Sequence, residues 1–354
     1  MTHEPAQSGS MGRTCAPRVP ANYFLGVIFS GVRALARSIV PLLAAAGVVG
    51  AALTAPAPAP PIRLVDDSNP LAGRPFYVDP ISGAKAAAKT SPSLTALANT
   101  PTAFWLDEAF SAPAGTVARY AGAAQAAGAT PVFALYAIPH RDCGSFAAGG
   151  FATAAGYRQW IDGVASGLGS MPAAIILEPD AIAMADCLSA DQQQERFGLL
   201  SYAVDALTRD PAAAVYIDGG HSRWLSADVL AARLNQVGVG RARGFSLNTA
   251  NFYTTDEEIG FGEAVSGLTG GAHYVIDTSR NGAGPAAGTP LDWCNPSGRA
   301  LGVAPTTATA GEHADAYLWV KRPGESDGSC GRGEPPAGQF VSQYAIELAG
   351  NAGG

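Results

Sequence analysis

The sequence predicts an α/β fold built on a parallel sheet curled into a barrel. Three observations lead there. Strand-like and helix-like segments alternate over nearly 290 residues, the pattern of a parallel sheet. The strand-like runs are continuously apolar rather than alternating, as in strands covered on both faces. The runs number about seven or eight, and no GxGxxG opens a helix after a strand, so a closed barrel is favoured over a doubly wound nucleotide-binding sheet.

The elements follow in order. Residues 1–37 hold Arg13, Arg18, Arg33 and Arg37 against Glu4, and an uncharged stretch over 38–54 follows, interrupted by Pro41. A basic stretch, an apolar stretch and small residues read as a secretion signal over 1–54. A second apolar patch at 23–32 makes a short uncleaved anchor the rival, with transient membrane association through this segment. The Pro/Ala-rich residues 55–66 read as a stiff linker, and 67–354 as a single folded domain. Strands are expected at 76–78, 103–106, 131–138, 173–178, 213–218, 244–248, 273–278 and 316–321. Helices are expected at 116–129, 154–169, 191–207, 226–238 and 255–268, with Ser189 and Ser226 as N-caps. No internal repeat of 20–50 residues is present, so solenoids and propellers are excluded.

Charge narrows the function classes. The formal net charge is −7, and removing 1–54, with four arginines and one glutamate, leaves −10. An acidic chain without a Lys/Arg run is not built for nucleic acid. Beyond Cys15 there are Cys143, Cys187, Cys294 and Cys330. In an exported domain these suggest two bridges, with three pairings open, and no CxxC points to zinc.

Polar and acidic residues collect where predicted strands end, the side on which α/β barrels carry function. The ends read Pro139-His140-Arg141-Asp142-Cys143, Glu178-Pro179-Asp180, Asp218-Gly219-Gly220-His221, Asp277-Thr278-Ser279-Arg280-Asn281 and Lys321 through Asp327. Asp277, near Arg280, is better read as a structural group. Converging carboxylates could hold a divalent cation or serve as acid and base at a glycosidic bond. Trp105, Trp224 and Trp293 fall at or after strand ends, with Tyr136 beside them, and suit the apolar faces of sugar rings. Trp160 and Trp319 read as core.

The stretches YAIPHRDCGSFAAGG, IILEPDAIA, YIDGGHSRW, VIDTSRNGAGP, WCNPSGRALG and WVKRPGESDG resemble, in order, the motifs of glycoside hydrolase family 6, which holds endoglucanases and cellobiohydrolases. The resemblance covers about 68–354. It implies a distorted barrel of about seven strands and disulfides pairing Cys143 with Cys187 and Cys294 with Cys330. It also implies hydrolysis of β-1,4-glucan or cello-oligosaccharides with inversion, by a secreted monomer with no cofactor, no metal and no nucleic-acid partner. By position in the motifs, Asp180 is the general acid, Asp142 governs its proton and steers the water, and Asp327 is the proposed base. Asp218 supports the reacting sugar's subsite and Tyr136 crowds that sugar. Lys321 and Glu325 reach sugar hydroxyls; Trp105, Trp224 and Trp293 stack; His221 and Asn251 are polar contacts. The chain departs where the family usually has a water-holding serine: Ala148 is there, and Ser145 is not equivalent. Short loops after Asp142 and Asp327 predict an open cleft and endo attack; the alternatives are a cellobiohydrolase or a catalytically weak β-glucan-binding protein.

Overall fold

A computed structural model describes residues 68–288 and 291–352. The segments expected to be a secretion signal or short anchor (1–54) and a linker (55–66), and with them Cys15, lie outside the described residues. Seven strands form one parallel sheet in sequence order: β1 Phe104–Leu106, β2 Val132–Leu135, β3 Ala173–Leu177, β4 Ala213–Asp218, β5 Gly244–Leu247, β6 His273–Asp277 and β7 Ala314–Leu318. Among the described residues eight α-helices accompany them: α1 Gly83–Ala88, α2 Thr95–Ala98, α3 Ala114–Ala126, α4 Ala154–Leu168, α5 Ala190–Leu207, α6 Ala227–Val237, α7 Thr255–Leu268 and α8 Ser342–Asn351.

The apolar runs form two layers because side chains alternate across the sheet. Phe133, Leu135, Ile175, Leu177, Val215, Ile217, Phe245 and Ile276 face the helices. The inner layer holds Ala134, Ala174, Ile176, Ala214, Val275, Ala316 and Leu318. So many alanines inside are what a seven-stranded barrel demands, since its bore is narrower than the eight-stranded one that larger side chains fill. Closure is incomplete. Instead of a ladder, β1 meets β7 through the Ala103 N–H to Trp319 O (3.0 Å) and the Trp105 indole N–H to Val320 O (2.8 Å). Arg322 adds a bond from Nε to Ala103 O at 2.8 Å.

Two expectations are corrected. Residues 76–78 are not a strand: Phe76 makes a single parallel bridge to Thr130. Pro75 before it supplies no N–H and Asp79-Pro80 follow, so there is no chain left to ladder. The last strand is 314–318, ending before Trp319, so Lys321 stands on the loop beyond it rather than in the sheet. The caps are as expected. Ser189 forms a capping box with Gln192 at the start of α5, and Ser226 accepts the Val229 N–H at the start of α6, each stabilising by about 1 kcal/mol.

Gly244 opens β5 where two strands run too close for a side chain, since a Cβ there would overlap the His273 carbonyl oxygen. Gly244→Ala is therefore expected to destabilise by roughly 1–3 kcal/mol or more, through forced separation of β5 and β6. The expected sign is a lower urea midpoint at unchanged slope; an unchanged midpoint contradicts it. Among the described residues no helix is long and apolar enough to cross a membrane.

Candidate active site

At the C-terminal ends of the strands the backbone bends sharply. Among the described residues nine non-glycine residues have positive φ: His140, Asp142, Cys143, Glu178, Asp180, Asn248, Ala250, Asn295 and Cys330. All lie in the loops of this one rim. Each such residue costs about 1–2 kcal/mol of local strain, and strain gathered at one place marks a functional site. Two disulfides hold these loops. Cys143–Cys187 ties the loop after β2 to the one after β3, and Cys294–Cys330 ties the Trp293 segment to the Asp327 loop. Closing 44 and 36 residues, each bridge stabilises by about 4 kcal/mol in the chain-entropy picture.

The loops enclose a cleft of about 710 Å³. Asp142, Asp180, Asp327, Trp105, Tyr136, His221, Trp224, Asn251, Trp293, Lys321 and Glu325 all line it. Asp218 does not. It is fully buried behind Asp180, accepting the Asp180 N–H (2.9 Å) and the Gly220 N–H (3.0 Å) on Oδ1 and the Ser246 hydroxyl (2.9 Å) on Oδ2. Its position sets Asp180 rather than touching the cleft. Burial pushes the Asp218 carboxyl up to about 6, against the hydrogen bonds that favour its charged form.

Asp180 has its carboxyl raised well above the usual range, first by burial, then by Asp218, then by Asp142. The sequence singles out Asp142 as the neighbour that keeps the proton on; burial and Asp218 outweigh it. Asp142 is itself raised, by burial against the Ala147 N–H donated to Oδ2 at 2.6 Å. Arg141 fixes that loop: Nη1 reaches Glu108 Oε2 (2.5 Å) and Tyr136 O (2.6 Å), Nε reaches Ala147 O (2.9 Å), and the guanidinium stands 4.6 Å from the Tyr136 ring centre. Ala148 offers no hydroxyl to the cleft.

Asp327 behaves in the opposite way. Burial alone would raise it, but Arg280 and Lys321 hold it below the usual carboxylate range. Oδ2 takes Arg280 Nη1 (2.8 Å) and the Asn295 N–H (3.0 Å), while Oδ1 faces Lys321 Nζ at 3.1 Å. Lys321 spends a second N–H on Ser326 O at 3.0 Å, which leaves one donor for a ligand. Arg280 does not pair with Asp277. Asp277 instead accepts four backbone N–H groups, from Ala250, Ser279, Val320 and Lys321, and is a structural hub between β6 and β7.

Aromatic surface flanks the acids. Trp224 and Trp293 are 37% and 36% exposed, and Trp105 packs edge-on to Tyr136 at 5.5 Å. His221 stacks on Tyr253 at 4.3 Å, and burial lowers it to about 4, so it meets a ligand as neutral imidazole at neutral pH. Asn251 also lines the cleft, its Nδ2 near Thr249 O at 3.4 Å. Glu325 is drawn toward Arg322 at 3.4 Å. Sequence reading passed over Tyr253, Arg141 and Phe146, which also line the cleft. Phe146 supplies bulk that its Gly/Ala-rich loop hides: its ring lies 6.1 Å from that of Trp293, and its Cβ crowds the face of Gly328.

A parallel α/β barrel whose rim sets carboxylates between aromatic platforms defines a polysaccharide hydrolase. The chain belongs to the glycosyl hydrolases family 6, whose model matches residues 75–352. It is 74% identical to the endoglucanase Cel6 from Mycobacterium tuberculosis, in a structure with methyl-cellobiosyl-4-deoxy-4-thio-β-D-cellobioside, at a TM-score of 0.80 over 81% of this chain and 100% of that one. It is 47% identical to Endoglucanase A of Cellulomonas fimi over 78% of this chain, and spans 61% of that relative's length. It is 31% identical to 1,4-beta-D-glucan cellobiohydrolase C of Emericella nidulans, over 80% of this chain and 78% of the relative.

Proposed function

We propose that this chain is an inverting endo-β-1,4-glucanase acting as an exported monomer on internal bonds of cellulose or a related β-glucan. The observation that carries the reading is an aromatic-lined cleft holding two carboxyls pushed in opposite directions, Asp180 raised by burial and neighbouring acids and Asp327 held low by Arg280 and Lys321. Asp180 is suited to protonate the leaving oxygen. Asp142, within electrostatic reach of it, is the group to steer the water. Asp327 is a weak proton acceptor, because two cations already satisfy it, so the water's proton leaves best through a relay of solvent. The names of the similar proteins support the substrate class and the endo mode. Two disulfides fit an oxidising compartment.

Two measurements test this. In the inverting geometry, proton NMR of fresh cello-oligosaccharide product should show the α-anomer first; β-anomer first means retention and overturns the inverting reading. Viscosity of carboxymethyl-cellulose should collapse before much reducing sugar appears. The Phe146–Trp293 contact favours the cellobiohydrolase reading, since it sets bulk from two loops side by side over the cleft. Slow viscosity loss with cellobiose as the sole early product would establish that second reading.

A further inference from the structure

Arg196 is nowhere in the cleft, yet it touches both loops that carry the acid pair. It projects from α5, is 3% exposed, and donates to three backbone carbonyls. Nη2 reaches Pro139 O (2.9 Å) and His140 O (2.7 Å), on the segment that delivers Asp142. Nη1 reaches Ala181 O at 3.3 Å, one residue past Asp180. The N–H groups of the same first segment are taken by Glu178, which is fully buried: Ala137 N–H at 2.9 Å and Ile138 N–H at 3.0 Å, both on Oε2. Residues 137–140 thus leave the sheet with N–H groups bound by a buried carboxylate and carbonyls bound by a buried guanidinium.

Stability alone is a poor reason for this arrangement. A buried arginine and a buried glutamate both carry desolvation costs, and well-packed apolar residues of similar volume often do as well or better. Arg196 is not even fully satisfied, since its Nε is buried without a protein partner. What its planar fork uniquely supplies is two separated donor nitrogens at a fixed angle. Those two nitrogens go to two different loops.

We propose that Arg196 is a positioning residue that fixes the offset between Asp142 and Asp180 by bonding their two loops to one rigid fork. The proposal rests on the glucanase reading above. It acts beside the Cys143–Cys187 bridge, which ties the same loops farther along, so Arg196 sets their angle where the disulfide only limits their separation. The groups facing Asp180 are Asp218 and Asp142, with Tyr136 beside them; those facing Arg196 are Glu178, Tyr136 and Tyr157.

Arg196→Lys separates this from a merely structural role. Lysine keeps the charge and three donors but radiates them from one nitrogen, so it serves one loop and not both. With a cooperative melt retained, kcat on cello-oligosaccharides should fall roughly 10–100-fold with KM within about two-fold, as expected for a sub-ångström to 1 Å misplacement of reacting groups. The alkaline limb of the kcat–pH profile should move to lower pH, because Asp142 no longer lies close enough to help hold the proton on Asp180. Arg196→Gln, neutral and with a single donor nitrogen, should lower kcat further, while its loss of a buried cation opposes the shift of the limb. A folded Arg196→Lys with wild-type kcat and pH limb overturns the proposal, as does a kcat loss matched only by the fraction unfolded. If neither variant melts cooperatively, Arg196 serves folding and the proposal fails. Wild-type protein inactive on every β-glucan would instead sink the glucanase reading itself.

Discussion

Asp180→Asn should cut kcat on cello-oligosaccharides by about 10³-fold or more, within the 10²–10⁴-fold range that general acid catalysis supplies. The same change should cost less than about ten-fold on an aryl cellobioside with an acidic phenol, because that leaving group departs without a proton. The cause lies in the neighbourhood of the carboxyl. Burial, then Asp218, then Asp142 all disfavour its anion, so the proton stays on well above the range of a free aspartate. The sign for pH follows. The active form is protonated, so activity is lost as pH rises through the Asp180 titration. Removing a neighbouring negative charge brings that loss to lower pH. Asp218→Asn should therefore shift the alkaline limb toward acid while its Oδ1 still accepts the Asp180 N–H. Equal losses on both substrates for Asp180→Asn, or an alkaline limb unmoved in Asp218→Asn, would contradict this account.

Much of the site is legible in sequence because acids and tryptophans fall at the ends of apolar runs, and runs of that kind announce buried parallel strands. β3 and β6 are plain for this reason: AIIL and YVI have no polar residue to place outward. The short run at 76–78 misleads because the same three-residue pattern also suits a lone bridge, and only the neighbouring prolines argue otherwise. Roles that depend on distant partners stay hidden. Arg280 stands three residues from Asp277 and pairs with Asp327, 47 residues on. Asp218 looks like a cleft residue, yet its side chain turns back under Asp180. Nothing in the sequence marks Ala250 as left-handed, since that conformation is usually glycine's, and Asp180 carries only the mild preference of aspartate for it.

The second large effect concerns stability. Arg280 is fully buried, with Nη1 on Asp327 and near the Tyr344 hydroxyl, Nη2 on Ala250 O, and its guanidinium 4.3 Å from the Phe252 ring centre. Among these contacts only Asp327 carries the opposite charge. Asp327→Ala therefore strands a buried cation and should cost roughly 3–5 kcal/mol. At about 2–4 °C per kcal/mol for a domain of this order of size, Tm should drop by roughly 6–20 °C. Arg280→Met combined with Asp327→Leu should recover most of the loss, since removing both charges leaves neither stranded and Lys321 can turn its ammonium into the cleft. The pH dependence has a definite sign. Asp327 is lowered in the folded state, so its contribution is present above the unfolded value of about 3.9 and disappears as pH falls through the folded value. The gap between wild type and Asp327→Ala in urea unfolding should be level from about pH 5 to 8 and narrow only in stronger acid. A double variant no more stable than Asp327→Ala, or a gap that already closes near neutrality, would mean that Arg280 does not depend on Asp327 for its charge balance. If the penalty is found, activity lost in Asp327→Ala reports a displaced Arg280 as much as a missing base, and Asp327→Asn, which keeps an oxygen for Arg280, is the variant on which the base role turns.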